Sequence, residues 1–211
     1  MQLNVFIVGE DPVTRAIIYR LVKDYAPGIR IIQSLPARGG EIKSKIVSFN
    51  HLALSYPIIL LSDLDTEPCP PIAKTNLLKG VTEVAPDFII NIAVDEAEAW
   101  LFADREGFAN FFGVPIESVP KSVLKKLQGI KPRIEMEVPI KSSYYLTHNL
   151  IGLSSNDTLK NQISSSSSCK GKEYNSALLP FISSFWNPEE ARKNAYSLDR
   201  MIQRIERLVK S

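Results

Sequence analysis

The sequence predicts an α/β fold, in which a mostly parallel sheet is flanked by helices and is followed by a mostly helical C-terminal extension. Four apolar runs that are typical of strands alternate with amphipathic, helix-like segments over the first half of the chain. The third run, Ile-Ile-Leu-Leu at residues 58–61, contains only aliphatic residues, as do strands that are buried on both faces. Because this alternation implies right-handed crossovers between neighbouring strands, we expect the four strands to be parallel.

The predicted elements follow one another in a regular order. Strands are expected at residues 3–8, 29–35, 58–61 and 88–94, and helices at about 12–25, 41–55, 72–84 and 95–104. Asp11 in front of Pro12 is a good N-cap for the first helix. Asp95, with Glu98 three residues later, has the pattern of a capping box for the fourth helix.

The alternation of strand and helix patterns becomes weaker after Gly113, and we therefore divide the chain there. Residues 1–113 are predicted to form the α/β core, and residues 114–211 an extension packed on that core. Within the extension, residues 121–127 look helical and residues 133–140 look extended. Five consecutive serines at 164–168 indicate a mobile surface loop.

The last predicted helix begins at Asn187, which is followed by a proline and two glutamates, a typical start signal. Its apolar stripe is expected to consist of Leu198, Ile202, Ile205 and Val209. The rest of the helix is basic and could face nucleic acid, a partner protein or only solvent. The basic residues are Arg192, Lys193, Arg200, Arg204, Arg207 and Lys210.

Composition limits the class of protein. With 45% hydrophobic and 23% charged residues, a chain of 211 residues is expected to form a folded core. The net charge of +2 neither demands nor excludes nucleic acid. Two cysteines, Cys69 and Cys169, are too few for a disulfide scaffold or a thiolate zinc site, and they fit a cytoplasmic location. No apolar run is long enough to span a membrane, and no signal sequence follows Met1.

Acidic residues follow three of the predicted strands. Glu10 follows the first, Asp63 and Asp65 follow the third, and Glu96 follows the fourth. Ligands bind at the carboxyl ends of strands in open α/β sheets, and residues i and i+2 of an extended backbone point the same way. Carboxylates gathered there favour a hard divalent cation, Mg²⁺ or Mn²⁺. The alternative is that each acid only begins a helix or belongs to a turn.

Two further segments have features of phosphate contacts. Arg38, Gly39 and Gly40 precede the second helix, where a glycine-rich loop lets backbone N–H groups approach an anion and arginine adds a fixed charge. Lys172 lies just beyond the serine run and could reach phosphate. The alternative in both cases is a solvated connection.

At these residues the sequence resembles the Toprim superfamily, the metal-binding domain of topoisomerases, primases and the overcoming-lysogenization-defect nucleases. The Toprim glutamate falls on Glu10, and its Asp-x-Asp pair falls on Asp63 and Asp65. The usual glycines after these motifs are replaced by Asp11 and by Thr66-Glu67. The chain is most similar to small stand-alone Toprim-like proteins that are encoded beside ATPases in bacterial anti-phage defence loci. The stretches that carry this similarity are 36–40, 61–65, 96–104 and 172–175, with Trp186.

The resemblance implies a Mg²⁺- or Mn²⁺-dependent nuclease that acts on DNA or RNA with an ATPase partner. Glu10, Asp63 and Asp65 would hold the metal, and Glu96 or Glu98 would add a ligand or a general base. No tyrosine nucleophile motif is present, which favours hydrolysis over strand passage. Homo-oligomerisation stays open.

Two other classes remain open. A receiver-like phosphorylation switch would also carry acids after the first and third strands, yet it requires a hydroxyl residue after the fourth strand and a lysine after a fifth. A non-catalytic subunit could bind an ATPase through the C-terminal helices.

Overall fold

The computed structural model describes residues 3–37, 40–165, 170–171 and 173–209. Four strands form one sheet: β1 (Leu3–Gly9), β2 (Ile29–Ser34), β3 (Ile58–Asp63) and β4 (Phe88–Ala93). A hairpin follows, made of β5 (Lys121–Lys125) and β6 (Arg133–Glu137). The helices of the described ranges are α1 (Pro12–Tyr25), α2 (Glu41–Leu52), α3 (Pro70–Leu77), α4 (Ala97–Phe102), α5 (Arg105–Phe112), α6 (Ser142–Tyr145), α7 (Asp157–Ile163), α8 (Tyr174–Pro180), α9 (Pro188–Asn194) and α10 (Tyr196–Leu208), with short 3-10 and π turns between some of them.

The main sheet is parallel, and its strands lie in the order β2-β1-β3-β4. Strand β3 lies between β1 and β4, and its four aliphatic residues are completely buried, as their continuous apolar run predicted. The predicted α/β class, with a parallel sheet flanked by helices, is confirmed. All four carboxyl ends therefore meet at one edge of the sheet.

Each face of the sheet is covered by a separate apolar core. Helices α2 and α3 cover one face, and α1, α4, α5 and the C-terminal helices cover the other. Trp100 and Trp186 lie at the centre of the second core, where the indole N–H of Trp186 donates to the Trp100 carbonyl at 3.2 Å. This core crosses residue 113, since Phe108 packs edge-to-face on Phe181 at 5.6 Å. The domain boundary at 113 stays a prediction.

Helix α1 begins as the sequence predicted. Oδ1 of Asp11 accepts the backbone N–H of Thr14 at 2.8 Å, and Thr14 Oγ1 accepts the N–H of Asp11 at 3.1 Å. This reciprocal pair satisfies two N–H groups that a helix start would otherwise leave free. The cap fixes the angle at which the chain leaves β1, and thereby the place of Glu10.

Two predictions for the extension are wrong. Residues 121–125 form a strand instead of a helix, because they pair antiparallel with Arg133–Glu137. The last helix is interrupted at Ala195, whose backbone is extended, so that α9 and α10 are separate. The side chain of Glu135 accepts the N–H of Ser197 at 2.7 Å, which stabilises the new helix start.

Smaller differences concern element ends and exposure. Helix α3 begins at Pro70 and ends at Leu77, well before the predicted end at 84. Val209 is half exposed and does not belong to the buried stripe of α10, which otherwise contains Leu198, Ile202 and Ile205 as predicted. The predicted serine loop lies partly outside the described residues, as do Lys210 and Cys169. None of the helices in the described ranges has the length and apolar character needed to cross a bilayer.

Candidate functional site

The acids that the sequence placed at the carboxyl edge of the sheet do meet there. Glu10 directly follows β1, and Asp63 is the last residue of β3. Both of them, together with Asp65, line one cavity of about 320 Å³. Lys43 of α2 lies on the wall of the same cavity. Adjacent parallel strands thus bring together carboxylates that are more than fifty residues apart in sequence.

Asp63 is the most buried of the three carboxylates. Its Oδ1 accepts the backbone N–H of Ala97, the first residue of α4, at 2.9 Å. Burial raises the pKa of Asp63 well above its ordinary range, and the negative charges of Glu98 and Glu10 raise it further. Because one N–H donor offsets only part of this effect, the Asp63 side chain either keeps its proton or, when ionised, needs a nearby cation.

Glu10 accepts a hydrogen bond from the Ser62 hydroxyl at 2.6 Å. Burial also raises the pKa of Glu10, the Ser62 bond lowers it, and Asp65 and Asp11 raise it again. Ser62 is the residue of β3 that precedes Asp63, so the two strands hold both carboxylates at the same level of the sheet.

Asp65 does not continue strand β3, which differs from the expected i, i+2 arrangement. Strand β3 ends at Asp63, and Asp65 adopts a positive φ of 50°. This left-handed conformation is uncommon for a residue with a Cβ, although aspartate tolerates it better than most. The carboxylate of Asp65 is half exposed and binds Lys141 Nζ at 2.8 Å. The turn, and not the strand pleat, therefore brings Asp65 to the cavity.

The predicted capping box at Asp95 and Glu98 is wrong. Asp95 has a positive φ of 70°, and its carboxylate accepts the Ser142 hydroxyl at 2.6 Å. Helix α4 begins one residue later than such a box requires, with Glu96 at the N-cap and no bond from the Glu96 side chain to the helix. The Asp63 carboxylate caps α4 instead, from a neighbouring strand.

Glu96 and Glu98, the predicted extra ligands, are buried and engaged elsewhere. Oε2 of Glu96 accepts the backbone N–H of Ser143 at 2.7 Å. Oε1 of Glu98 accepts the Tyr174 hydroxyl at 2.6 Å and Lys170 Nζ at 2.8 Å. Neither glutamate lines the cavity of Glu10 and Asp63, although the charge of each raises the pKa of Asp63.

Two lysines of the C-terminal half neutralise part of this acidic edge. Lys141 binds Asp65 at 2.8 Å and lies 3.8 Å from Glu96. Lys170 binds Glu98 at 2.8 Å and Asp11 at 3.4 Å. Burial alone would lower the pKa of Lys170, but contact with Glu98 raises it above its ordinary range, so this lysine stays charged. The acids at this edge still outnumber the lysines; they are Glu10, Asp11, Asp63, Asp65, Asp95, Glu96 and Glu98.

Sequence reasoning missed the partners that the extension supplies. Lys141, Ser142 and Ser143 contact acids that precede them by about fifty to seventy-five residues, and no local pattern marks them. Tyr174, which donates to Glu98, lies in one of the stretches that resemble Toprim-like proteins, but the sequence predicted no role for it.

Only one of the predicted phosphate-binding residues can be placed. Gly40 is the N-cap of α2 and lines the same cavity as Glu10. Arg38, Gly39 and Lys172 lie outside the described residues.

The carboxylates of Glu10, Asp63 and Asp65 are suited to a hard cation, but they are not grouped as closely as the ligands of a bound metal ion. Oxygen ligands from carboxylates are those that Mg²⁺ and Mn²⁺ prefer. Within the described parts of the chain, no three side chains of the types His, Cys, Asp and Glu are grouped closely enough to hold a metal ion as they stand. Glu10 and Asp65 contact Ser62 and Lys141 instead.

No family model, curated protein or solved structure matches the chain.

Proposed function

We propose that the chain is a Mg²⁺- or Mn²⁺-dependent nuclease of the Toprim type, which hydrolyses phosphodiester bonds of DNA or RNA. One observation carries the proposal: Glu10, Asp63 and Asp65 line a single cavity at the carboxyl edge of a parallel sheet. The raised pKa values of Glu10 and Asp63 indicate that negative charge there is incompletely compensated. A divalent cation would supply that compensation.

In this proposal Glu10, Asp63 and Asp65 hold the metal. When bound, the ion would polarise the scissile phosphate and lower the pKa of a water molecule. Ser62 orients the Glu10 carboxylate, and the α4 start orients Asp63. Glu96 and Glu98 act through the charge they place near Asp63, since their own oxygens bind protein donors.

Lys141 competes with the metal, because it forms an ion pair with the Asp65 carboxylate. Metal binding by Asp65 requires this ion pair to open. Both partners are about half exposed, so the ion pair is worth little, and opening it costs at most about 1 kcal/mol.

The ATPase partner and the role in bacterial anti-phage defence rest on the resemblance of the sequence. The docking surface for the ATPase would lie on the C-terminal helices. Dependence on the partner is tested by co-expressing the chain with its neighbouring genes, where an encoded ATPase should produce cleavage or toxicity that Asp65→Ala abolishes. Toxicity that persists in Asp65→Ala would contradict the catalytic role.

A non-catalytic subunit is the second candidate, and the lysine contacts favour it. Lys141 and Lys170 already neutralise acids at the edge, as lysines do in sites that hold no metal. The receiver-like switch gains no such support, because the sheet in the described ranges has four strands and lacks the fifth that would carry its lysine.

Calorimetric titration with Mn²⁺ tests the proposed function. Asp63→Asn and Asp65→Asn should each abolish binding that the wild type shows. Asp87→Asn is the matched control, because Asp87 is exposed and lies in front of β4, at the opposite edge of the sheet. Equal Mn²⁺ binding by wild type and Asp63→Asn would overturn the metal site.

A further inference from the structure

A second cavity, of about 380 Å³, lies between the start of α3, strand β4, the β5–β6 hairpin and helix α10. We call it the basic cavity. Six of the side chains that line it are cationic: Lys74, Lys125, Lys131, Arg133, Arg200 and Arg204. Its one acidic residue, Glu135, is buried and accepts two hydrogen bonds from Ser197.

Acids of the described residues compensate the cations of the basic cavity only in part: the charge of Lys125 lowers the pKa values of Asp95 and Glu135. Throughout the described ranges, none of the six forms an ion pair with a carboxylate. Arg204 is held in place by the Ile90 carbonyl at 2.9 Å and Oδ1 of Asn91 at 2.8 Å. Burial lowers the pKa of Arg204, and the like charges of Arg200 and Arg207 lower it further. Positive charge that the described residues neutralise only in part is suited to an anionic ligand.

Lys74 stands beside this group on α3. Burial and the charge of Arg204 both lower its pKa. Lys74 of α3 and Arg204 of α10 both line the cavity, and the charge of Arg204 reaches Lys74, so one anion could be shared by the two side chains. Phosphate oxygens are suited to such a pair, because guanidinium and ammonium groups donate several strong hydrogen bonds.

The floor of the cavity is apolar. Its apolar lining consists of Ile90 and Ile92 of β4, Val94 just after that strand, and Leu127 and Ile130 of the hairpin loop. At the rim, the guanidinium of Arg133 lies over the ring of Tyr196, 4.9 Å from its centroid. A ligand that fills this space carries a flat or apolar group in addition to negative charge, as a nucleotide does.

We infer that the basic cavity binds a nucleotide, with its phosphates between Lys74 and Arg204 and its base against the apolar floor and Tyr196. The volume is that of a small-ligand site and is too small for a duplex. The nucleotide is either free in solution or one unit of a single strand.

The basic cavity lies next to the acidic edge of the sheet. Ile92 lines both the basic cavity and the cavity of Glu10 and Asp63. Lys125, on the hairpin, is close enough to Asp95 to lower the pKa of that carboxyl. A strand that occupies the basic cavity would thus continue towards the carboxylates. Binding in the basic cavity does not depend on metal or on cleavage.

Fluorescence anisotropy with two probes, in EDTA, tests the inference and identifies the source of the nucleotide. The probes are a fluorescent ATP analogue and a labelled single-stranded DNA of ten nucleotides. We expect at least one probe to bind the wild type and to bind Lys74→Gln about tenfold more weakly. Binding of the ATP analogue would identify a free nucleotide as the ligand, and binding of only the oligonucleotide would identify a strand.

Three variants control the experiment. Lys23→Gln removes the same charge from α1, which contributes no residue to the lining of the basic cavity, and should bind like the wild type. Lys131→Gln alters an exposed member of the cavity, so that weaker binding there cannot be attributed to misfolding. Asp63→Asn should lose Mn²⁺ binding and should still bind the ATP analogue if the wild type does, which separates this site from the proposed metal site. Unchanged affinity in Lys74→Gln and Lys131→Gln, or no binding of either probe, would overturn the inference.

Discussion

The carboxylate of Asp63 caps a helix that begins thirty-four residues later, by accepting the backbone N–H of Ala97 at 2.9 Å. The end of β3 is thereby tied to the start of α4. Because Asp63 also lines the candidate site, its charge and its acceptor oxygen have separate effects on the protein. Substitutions can distinguish the two.

We expect Asp63→Asn to be at least as stable as the wild type at pH 7. Asparagine keeps an oxygen that can accept the Ala97 N–H, and it removes a buried charge that Glu98 and Glu10 repel. Asp63→Ala removes the acceptor as well and should be less stable than Asp63→Asn by about 1 kcal/mol. Urea unfolding measures both differences. If the alanine variant were as stable as the asparagine variant, the cap would contribute nothing.

We expect Lys141→Ala to strengthen Mn²⁺ binding, because it frees the Asp65 carboxylate. Since the ion pair is exposed, the gain should be about two- to fivefold at low salt and should shrink as salt increases. Calorimetric titration at two salt concentrations measures it, with Lys126→Ala, an exposed neighbour of the hairpin, as control. Weaker Mn²⁺ binding by Lys141→Ala would mean that the lysine supports the site and does not compete with the metal.

Glu135 should make stability depend on pH. Burial raises its pKa from the ordinary value of 4.5 to about 7, although its bonds to Ser197 act in the opposite direction. The folded state therefore keeps a proton that the unfolded state releases above pH 4.5. The free energy of unfolding should fall as the pH rises from about 4.5 to about 7, by an amount on the order of 3 kcal/mol.

Thermal unfolding of Glu135→Gln between pH 4 and pH 8 checks this expectation. The variant cannot ionise, so it should gain stability relative to the wild type as the pH increases. Glu117→Gln, at an exposed position, should follow the wild type throughout. A constant difference between Glu135→Gln and the wild type would show that Glu135 keeps its proton, or its charge, over the whole range.

The hydroxyl of Tyr174 is expected to stabilise the packing of the extension on the core. It donates to Glu98, and both side chains are almost completely buried. Tyr174→Phe leaves Glu98 with Lys170 as its remaining donor, which should cost about 1–3 kcal/mol. Chemical denaturation measures this loss, with Tyr19→Phe at an exposed position as control. A loss no larger than in Tyr19→Phe would show that Lys170 alone satisfies Glu98.

The sequence by itself determined the sheet and the edge at which the acids gather. The aliphatic run before Asp63 predicts a strand buried on both faces, and parallel strands joined by helices place Glu10 and Asp63 at the same edge. The start of α1 was equally predictable, since a capping pair is a local interaction between Asp11 and Thr14. Such features depend on neighbours within a few residues or on the sheet topology alone.

Tertiary structure decided what each acid contacts. The Asp95 box failed because Asp63, from another strand, took the N–H of Ala97. The strand at 121–125 was predicted as a helix because pairing with residues 133–137 stabilises it, and so short a segment does not identify its partner. Lys141 and Lys170 reach the acidic edge only because the C-terminal half folds back onto the core. Long-range contacts of this kind depend on how the chain packs in three dimensions, and no local pattern records them.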